Sequence, residues 1–185
     1  MTTESSSRRG GRDPDTAGNT VVGVVGLGDM GAAIAAAVLQ KFPLVAFDIR
    51  PAAIDKLAAA GAQSARSVPE VAQLSDIIII VVIDDRQVTD VVGQILRNPG
   101  RAKYVVISST VLPQTCISLG EQAKAVGLSV IDAPVSGGAE KAMSGLITVM
   151  VGGEDAAIDG AVESQWRVFR LGAIGRCAGS QAGRL

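Results

Sequence analysis

A glycine-rich turn that directly follows an apolar run constrains the fold of this chain more than any other feature. Residues 21–25 are apolar, and glycines follow at positions 26, 28 and 31 before an alanine-rich stretch. This spacing is typical of a strand that turns into a helix, because Gly26 permits a positive φ and Gly31 permits close packing of helix on strand. Gly28 would let a pyrophosphate approach bare backbone at the helix N-terminus. A purely architectural turn is the alternative interpretation.

An acidic residue, Asp48, lies at the position where a dinucleotide-binding turn is typically followed by a ribose-binding carboxylate. The apolar segment 44–47 ends at Asp48, about 20 residues after Gly28, the position from which a carboxylate accepts hydrogen bonds from an adenosine ribose. Taken alone, Asp48 is better explained as a surface residue or as the cap of a helix beginning near Pro51. The glycines and Asp48 together favour a dinucleotide-binding turn.

Segments of strand pattern alternate with segments of helical pattern from residue 20 onward, which predicts an α/β fold with a doubly wound, mostly parallel sheet. The fourth strand is apolar throughout, so we expect it at the centre of the sheet, covered on both faces. Ser67 and Glu70 have the spacing of a capping box and predict the start of the third helix. The predicted strands are residues 21–25, 44–47, 62–64, 77–83, 104–107, 128–131, 146–151 and 168–171, and the predicted helices are residues 30–40, 51–60, 67–74, 86–96, 113–126, a short piece ending at 143, and 155–166.

The composition excludes several classes of function. A chain of 185 residues, 48% of them hydrophobic, is long enough for one domain with a substantial core and too short for a second large one. A net charge of −1 and an aromatic content of 3% argue against a nucleic-acid partner. The sequence contains no histidine, which removes Ser-His-Asp and Cys-His catalysis and histidine-ligated metal sites, so we expect no metal.

Further features bear on the compartment. Cys116 and Cys177 are far apart and fit no metal-ligand spacing, so we expect reduced thiols in a cytoplasmic protein. The longest apolar run, 77–83, is too short to cross a membrane, and no membrane partner is expected.

Residues 1–19 contain too little apolar surface to bury and are predicted to form a disordered tail.

Three more segments follow predicted strands and would meet at the carboxyl edge of the sheet, where ligands bind in open α/β folds. The first contains Asp84 and Asp85, for which a solvated helix start is the favoured interpretation. The second, 108–110, is Ser-Ser-Thr, and its Thr110 is either a cofactor contact or the cap or turn before the next helix. The third, 136–138, is Ser-Gly-Gly, which can form a concave row of backbone N–H groups that holds a carboxylate, or a plain glycine turn.

Longer motifs resemble the β-hydroxyacid dehydrogenases, the 3-hydroxyisobutyrate dehydrogenase group. They are the glycine turn 26–31, the segment 132–138 (Asp-Ala-Pro-Val-Ser-Gly-Gly) and the segment 145–153 (Gly-Leu-Ile-Thr-Val-Met-Val-Gly-Gly). The resemblance extends over residues 20–171 and implies a Rossmann-type cofactor domain. It also implies an enzyme that oxidises a small 3-hydroxy acid to its semialdehyde, or catalyses the reverse, with a nicotinamide cofactor.

The resemblance assigns roles by position. Asp48 would bind the ribose, and because it would repel a 2′-phosphate, NAD is expected rather than NADP, although Arg50 would soften this preference. The substrate carboxylate would be bound by Ser136, Gly137 and Gly138. The other implied cofactor residues are Gly26, Leu27, Gly28, Asp29, Met30, Gly31, Val82, Ile83 and Thr110.

The end of the sequence departs from the family pattern. The family continues into a helix that carries a catalytic lysine and then into an all-helical domain, whereas here Arg184 stands near the place of that lysine. We therefore expect a dinucleotide-binding domain over residues 20–171, the start of an interdomain segment over 172–185, and no all-helical C-terminal domain. Impaired turnover is expected. Without the helical domain, a strip of apolar surface would stay uncovered, which would favour a homo-oligomer.

Two alternatives stay open. One is an NADP-dependent enzyme related to imine reductases or glyoxylate reductases, against which Asp48 argues because those enzymes more often carry Asn-Arg after the second strand. The other is a non-catalytic dinucleotide-binding module, which a cofactor titration beside a turnover assay would distinguish from an enzyme.

Overall fold

The computed structural model describes residues 20–158 and the backbone of residues 174–176. Its centre is a six-stranded sheet in which all neighbouring strands run parallel, in the order β3-β2-β1-β4-β5-β6. The strand order reverses between β1 and β4, so the Rossmann-type fold predicted from the sequence is confirmed, with its ligand crevice expected at this reversal. The strands are β1 Val22–Val25, β2 Leu44–Phe47, β3 Gln63–Ser64, β4 Ile77–Ile80, β5 Tyr104–Ile107 and β6 Ser129–Asp132.

Helices cover both faces of this sheet. One buried apolar cluster lies on the face of α1, α2 and α6, and the other lies on the face of α3, α4 and α5. In β4, Ile77 and Ile79 belong to the first cluster, and Ile78 and Ile80 belong to the second. An uninterrupted apolar strand is therefore required here, because both of its faces are covered. The helices are α1 Asp29–Leu39, α2 Pro51–Ala59, α3 Val68–Leu74, α4 Asp85–Arg97, α5 Pro113–Lys124 and α6 Gly138–Met143.

A three-stranded sheet adjoins the end of β6. Its strands are β7 Val135–Ser136, β8 Thr148–Val151 and β9 Ile174–Arg176, with β7 antiparallel and β9 parallel to β8. Asp132 and Gly152 exchange two backbone hydrogen bonds of 2.9 and 2.8 Å, which join the two sheets. Helix α6 packs against α1, so the loop that precedes α6 lies on the α1 side of the molecule.

Several element boundaries differ from prediction. Strand β4 ends at Ile80 instead of residue 83, because the last bond of its ladder is that of the Val81 N–H to the Val25 carbonyl oxygen, 2.9 Å. Strand β8 begins at Thr148 instead of residue 146, and strands β7 and β9 were not predicted. The boundaries of β5 agree with the prediction.

Of the two hydrogen bonds in the predicted capping box of α3, the structure confirms the one made by the serine side chain. The Ser67 Oγ accepts a hydrogen bond from the Glu70 N–H at 3.3 Å, as a capping box requires. The Glu70 carboxylate, however, accepts from the Arg66 N–H at 2.8 Å, one residue before the cap.

Some predictions concern residues outside those described. They are the tail 1–19, most of the helix 155–166, the strand 168–171, Cys177 and Arg184. Strand β9 lies beyond residue 171, where we expect the dinucleotide-binding domain to end. Within the described ranges, no helix is long and apolar enough to cross a membrane, and no three His, Cys, Asp or Glu side chains group as metal ligands.

Candidate functional site

Two glycines of the turn after β1 are required by the fold itself. Gly26 has a φ of +91°, and a Cβ there would overlap the carbonyl oxygen of Val81. A Cβ on Gly31 would overlap the carbonyl oxygen of Gly26 and lie 3.3 Å from the Val81 Cβ. The turn, the start of α1 and the segment after β4 therefore form one closely packed unit.

Gly28 differs from the other two, because nothing in the described fold requires a glycine at this position. Its φ of −65° and ψ of −175° suit any residue, it is exposed, and a Cβ there would meet no atom within 4 Å. Gly28 is the N-cap of α1, and no side chain of the described residues caps this helix. Bare backbone and uncapped N–H groups thus face open space at the carboxyl end of β1, which fits a pyrophosphate group.

Asp48 ties the end of β2 to this turn. The residue is only 9% exposed, and its carboxylate accepts hydrogen bonds from the Leu27 N–H at 2.6 Å and from the Arg50 N–H and Nε at 2.8 and 3.1 Å. Burial alone would raise the pKa of Asp48, but the hydrogen bonds from Arg50 and Leu27 outweigh it and hold the pKa below its ordinary value. Asp48 is therefore an ionised group of the turn. It is neither a surface residue nor the N-cap of α2, which is Arg50.

A serine that we did not select from the sequence holds the segment after β4. The Ser109 Oγ accepts a hydrogen bond from the Val82 N–H and donates one to the Val82 carbonyl oxygen, both at 2.8 Å. The next residue, Ile83, is 84% exposed. The segment 108–110 was expected at this edge of the sheet, but the pairing of Ser109 with Val82, 27 residues away, has no signal in the sequence.

The two aspartates after β4 have structural roles. Asp84 is the N-cap of α4 and accepts a hydrogen bond of 2.8 Å from the first turn, as the helix-start interpretation predicts. Asp85 accepts hydrogen bonds from the Thr115 Oγ1 at 2.6 Å and the Leu112 N–H at 2.9 Å, and these bonds lower the pKa of Asp85. Because Leu112 is the N-cap of α5, the interpretation of Thr110 as that cap is wrong.

The residues predicted to bind a cofactor lie along one edge of the large sheet. They follow β2, β1, β4 and β5, which are consecutive neighbours and end at the same edge. Leu27 and Gly31 are buried, and Met30 and Val82 are half-buried. The exposed members of the set are Gly28, Asp29, Ile83 and Thr110. Their joint contact with a cofactor stays a prediction.

The segment predicted to bind a substrate carboxylate belongs to the small sheet. Ser136 is exposed and pairs with Thr148 of β8. Gly137 and Gly138 have φ values of +134° and +78°, and Gly137 is the N-cap of α6. This conformation is compatible with a concave row of N–H groups and with a plain glycine turn, so both interpretations stay open.

A thiol and a carboxylate meet where the two sheets join. Burial, together with the charge of the adjacent Asp132, raises the pKa of Cys116 to about 12, and burial also raises the pKa of Asp132. A thiol with such a pKa is protonated near neutral pH, and Cys116 packs against the apolar cluster on the face of α3, α4 and α5. It is a free thiol, as expected from the sequence.

Comparison with known proteins finds related sequences. The family model described as the NAD binding domain of 6-phosphogluconate dehydrogenase matches residues 21–166. The L-threonate dehydrogenase of Cupriavidus necator is 35% identical over 162 residues, covering 82% of this chain and 54% of that enzyme. The mitochondrial 3-hydroxyisobutyrate dehydrogenase of Mus musculus is 34% identical over 151 residues, covering 80% of this chain and 45% of that enzyme.

A solved structure shares the fold as well. The 3-hydroxyisobutyrate dehydrogenase of Mycobacterium tuberculosis, solved with L-serine, superposes with a TM-score of 0.76 at 27% identity, covering 85% of this chain and 54% of that chain. These relatives are oxidoreductases. The present chain spans about half the length of the curated relatives it matches.

Proposed function

This chain belongs to the family of the NAD binding domain of 6-phosphogluconate dehydrogenase, and we propose that it binds NAD as the cofactor domain of a dehydrogenase for small 3-hydroxy acids. Relatives named for 3-hydroxyisobutyrate and L-threonate support this class of reaction. Because the named substrates differ, the proposal extends to the class of hydroxy acid and not to one member of it.

The open backbone at Gly28 carries the proposal. The neighbouring glycines, Gly26 and Gly31, have intramolecular reasons to lack a side chain, but the described fold supplies none for Gly28. Close approach of a ligand to the N-terminus of α1 explains the glycine, since the helix dipole and its free N–H groups favour phosphate oxygens. NAD, when bound, supplies a hydride acceptor; the residues of this turn bind and orient it.

The Asp48 carboxylate supports NAD in preference to NADP. We propose that its oxygens accept hydrogen bonds from the adenosine ribose hydroxyls, in addition to the bonds that fix it to Leu27 and Arg50. A 2′-phosphate would meet a like charge there, at a cost that reaches several kcal/mol when the pair is desolvated. The Arg50 guanidinium, which pairs with Asp48 and is 63% exposed, would offset part of that cost.

The substrate roles are proposed from position in the family motifs. Backbone N–H groups of the segment 136–138 would bind the substrate carboxylate. Arg184, which lies outside the described residues, would occupy the place of the acid/base lysine. An arginine stays protonated, so it can stabilise an alkoxide but cannot accept its proton. Since a positioned base contributes about 10² to 10⁴ in rate, this chain should turn over a hydroxy acid slowly.

The test compares NADH binding by two Gly→Ala variants. Gly28→Ala adds a methyl group to an allowed backbone conformation with no neighbour among the described residues within 4 Å. It should lower the melting temperature only slightly, because alanine is a poorer N-cap than glycine, and should weaken NADH binding by about tenfold or more. Gly120→Ala, on α5, also meets no described atom within 4 Å and serves as the control with unchanged affinity. Equal NADH affinity of Gly28→Ala and the original chain would contradict the proposal.

Two further measurements separate the alternatives. NADPH should bind more weakly than NADH, and Asp48→Ala should narrow the difference; equal or tighter NADPH binding would favour the NADP-dependent relatives. NADH formation with 3-hydroxyisobutyrate distinguishes an enzyme from a non-catalytic module. A turnover number of about one per second or higher, typical of complete enzymes, would contradict the role proposed for Arg184.

A further inference from the structure

We propose that Ser109 is a positioning residue of the cofactor site, whose hydroxyl fixes the segment 81–83 against which the glycine turn packs. The inference rests on the proposed function. It adds to that function a residue that acts through Val82 and that is not among the cofactor residues assigned from the family motifs.

The hydroxyl of Ser109 replaces the strand ladder where β4 ends. The last ladder bonds at this edge run from the Val81 N–H to the Val25 carbonyl oxygen and from the Ser108 N–H to the Ile80 carbonyl oxygen, both at 2.9 Å. Beyond them, the N–H and the carbonyl oxygen of Val82 both bond to the Ser109 Oγ at 2.8 Å. A hydroxyl donates and accepts at once, so one side chain satisfies both backbone groups.

The segment fixed in this way forms a wall of the glycine turn. The Val81 carbonyl oxygen would overlap a Cβ on Gly26, and the Val82 Cγ1 would lie 3.0 Å from that Cβ. The Val81 Cβ would lie 3.3 Å from a Cβ on Gly31. Movement of Val81 and Val82 would therefore change the support of the turn, and Ser109, only 4% exposed, links the end of β5 to it.

The preceding residue provides a matched control. Ser108 is 3% exposed, and its Oγ is buried without a hydrogen-bond partner among the described residues. Ser108→Ala therefore removes the same atom as Ser109→Ala, one residue away and equally buried, but breaks no hydrogen bond within the described part of the chain.

The experiment measures NADH dissociation constants of both variants at a temperature where unfolding curves show every protein to be fully folded. Under this condition affinity reports the geometry of the site and not the folded fraction. Ser109→Ala should weaken NADH by about tenfold, which is about 1.4 kcal/mol, and Ser108→Ala should stay within about twofold of the original chain.

A second pair of variants isolates the hydroxyl from side-chain volume. Ser109→Thr and Ser109→Val bury nearly the same shape, but only threonine keeps the hydroxyl. Threonine should recover most of the affinity lost in Ser109→Ala, and valine should not. Equal affinities of the threonine and valine variants would overturn the inference.

The outcomes distinguish this inference from the proposed function. If the original chain binds NADH and Ser109→Ala binds it equally well, the inference is wrong and the proposed function stands. Equal losses in Ser108→Ala and Ser109→Ala would indicate a general packing effect and also overturn the inference. If the original chain binds no NADH, the proposed function fails, and this inference fails with it.

Discussion

Replacing Gly31 by alanine should destabilise the fold by about 2 kcal/mol. The new Cβ would overlap the Gly26 carbonyl oxygen, and it would lie 3.0 Å from the Gly26 carbonyl carbon and 3.3 Å from the Val81 Cβ. The Gly26 atoms are backbone of the turn and cannot rotate aside, so α1 must move away from β1. Overpacking of this kind costs up to about 3 kcal/mol. The higher helix propensity of alanine offsets about 1 kcal/mol of this cost, which leaves a net loss of about 2 kcal/mol.

Thermal unfolding followed by far-ultraviolet circular dichroism checks this value. A loss of about 2 kcal/mol corresponds to a fall in melting temperature of about 4 to 8 °C for a domain of this size. Gly120→Ala is the control, because it makes the same change inside α5 with no contact within 4 Å to other described parts of the fold, and it should raise stability by up to about 1 kcal/mol. If Gly31→Ala melts at or above the temperature of the original chain, the turn is not closely packed and the reasoning fails.

Two further predictions follow from pKa shifts. The folded-state pKa of Asp48 is lowered, so the ionised carboxylate stabilises the folded state fully above the ordinary pKa of 3.8, and this stabilisation is lost as pH falls through the folded pKa. The difference in melting temperature between the original chain and Asp48→Asn should therefore shrink in acid, and a difference that stays constant with pH would refute this. Cys116, with a pKa of about 12, should react with iodoacetamide about 10³-fold more slowly than an ordinary thiol near pH 8. The rate is measured in a Cys177→Ser background, and a rate near that of a peptide thiol would contradict the protonated state of Cys116.

The sequence alone determined the features that depend on the spacing of residues close together in the chain. The positions of the three glycines and Asp48 predicted a strand, a turn and a helix with an acidic residue after the next strand, and the structure places them together. The unbroken isoleucines of β4 indicated a strand covered on both faces, because only such a strand lacks polar positions. Each of these signals depends on neighbours within a short stretch of chain.

The tertiary structure decided the contacts between distant segments. Ser109 pairs with Val82 across 27 residues, and Asp85 bonds to Leu112 and Thr115 at the start of another helix. Strand β7 has two residues, and it is a strand only because β8 lies beside it. A hydroxyl or a carboxylate has the same intrinsic preferences wherever it stands in the chain. Which backbone group it bonds to is set by the packing of the strands and helices that carry it.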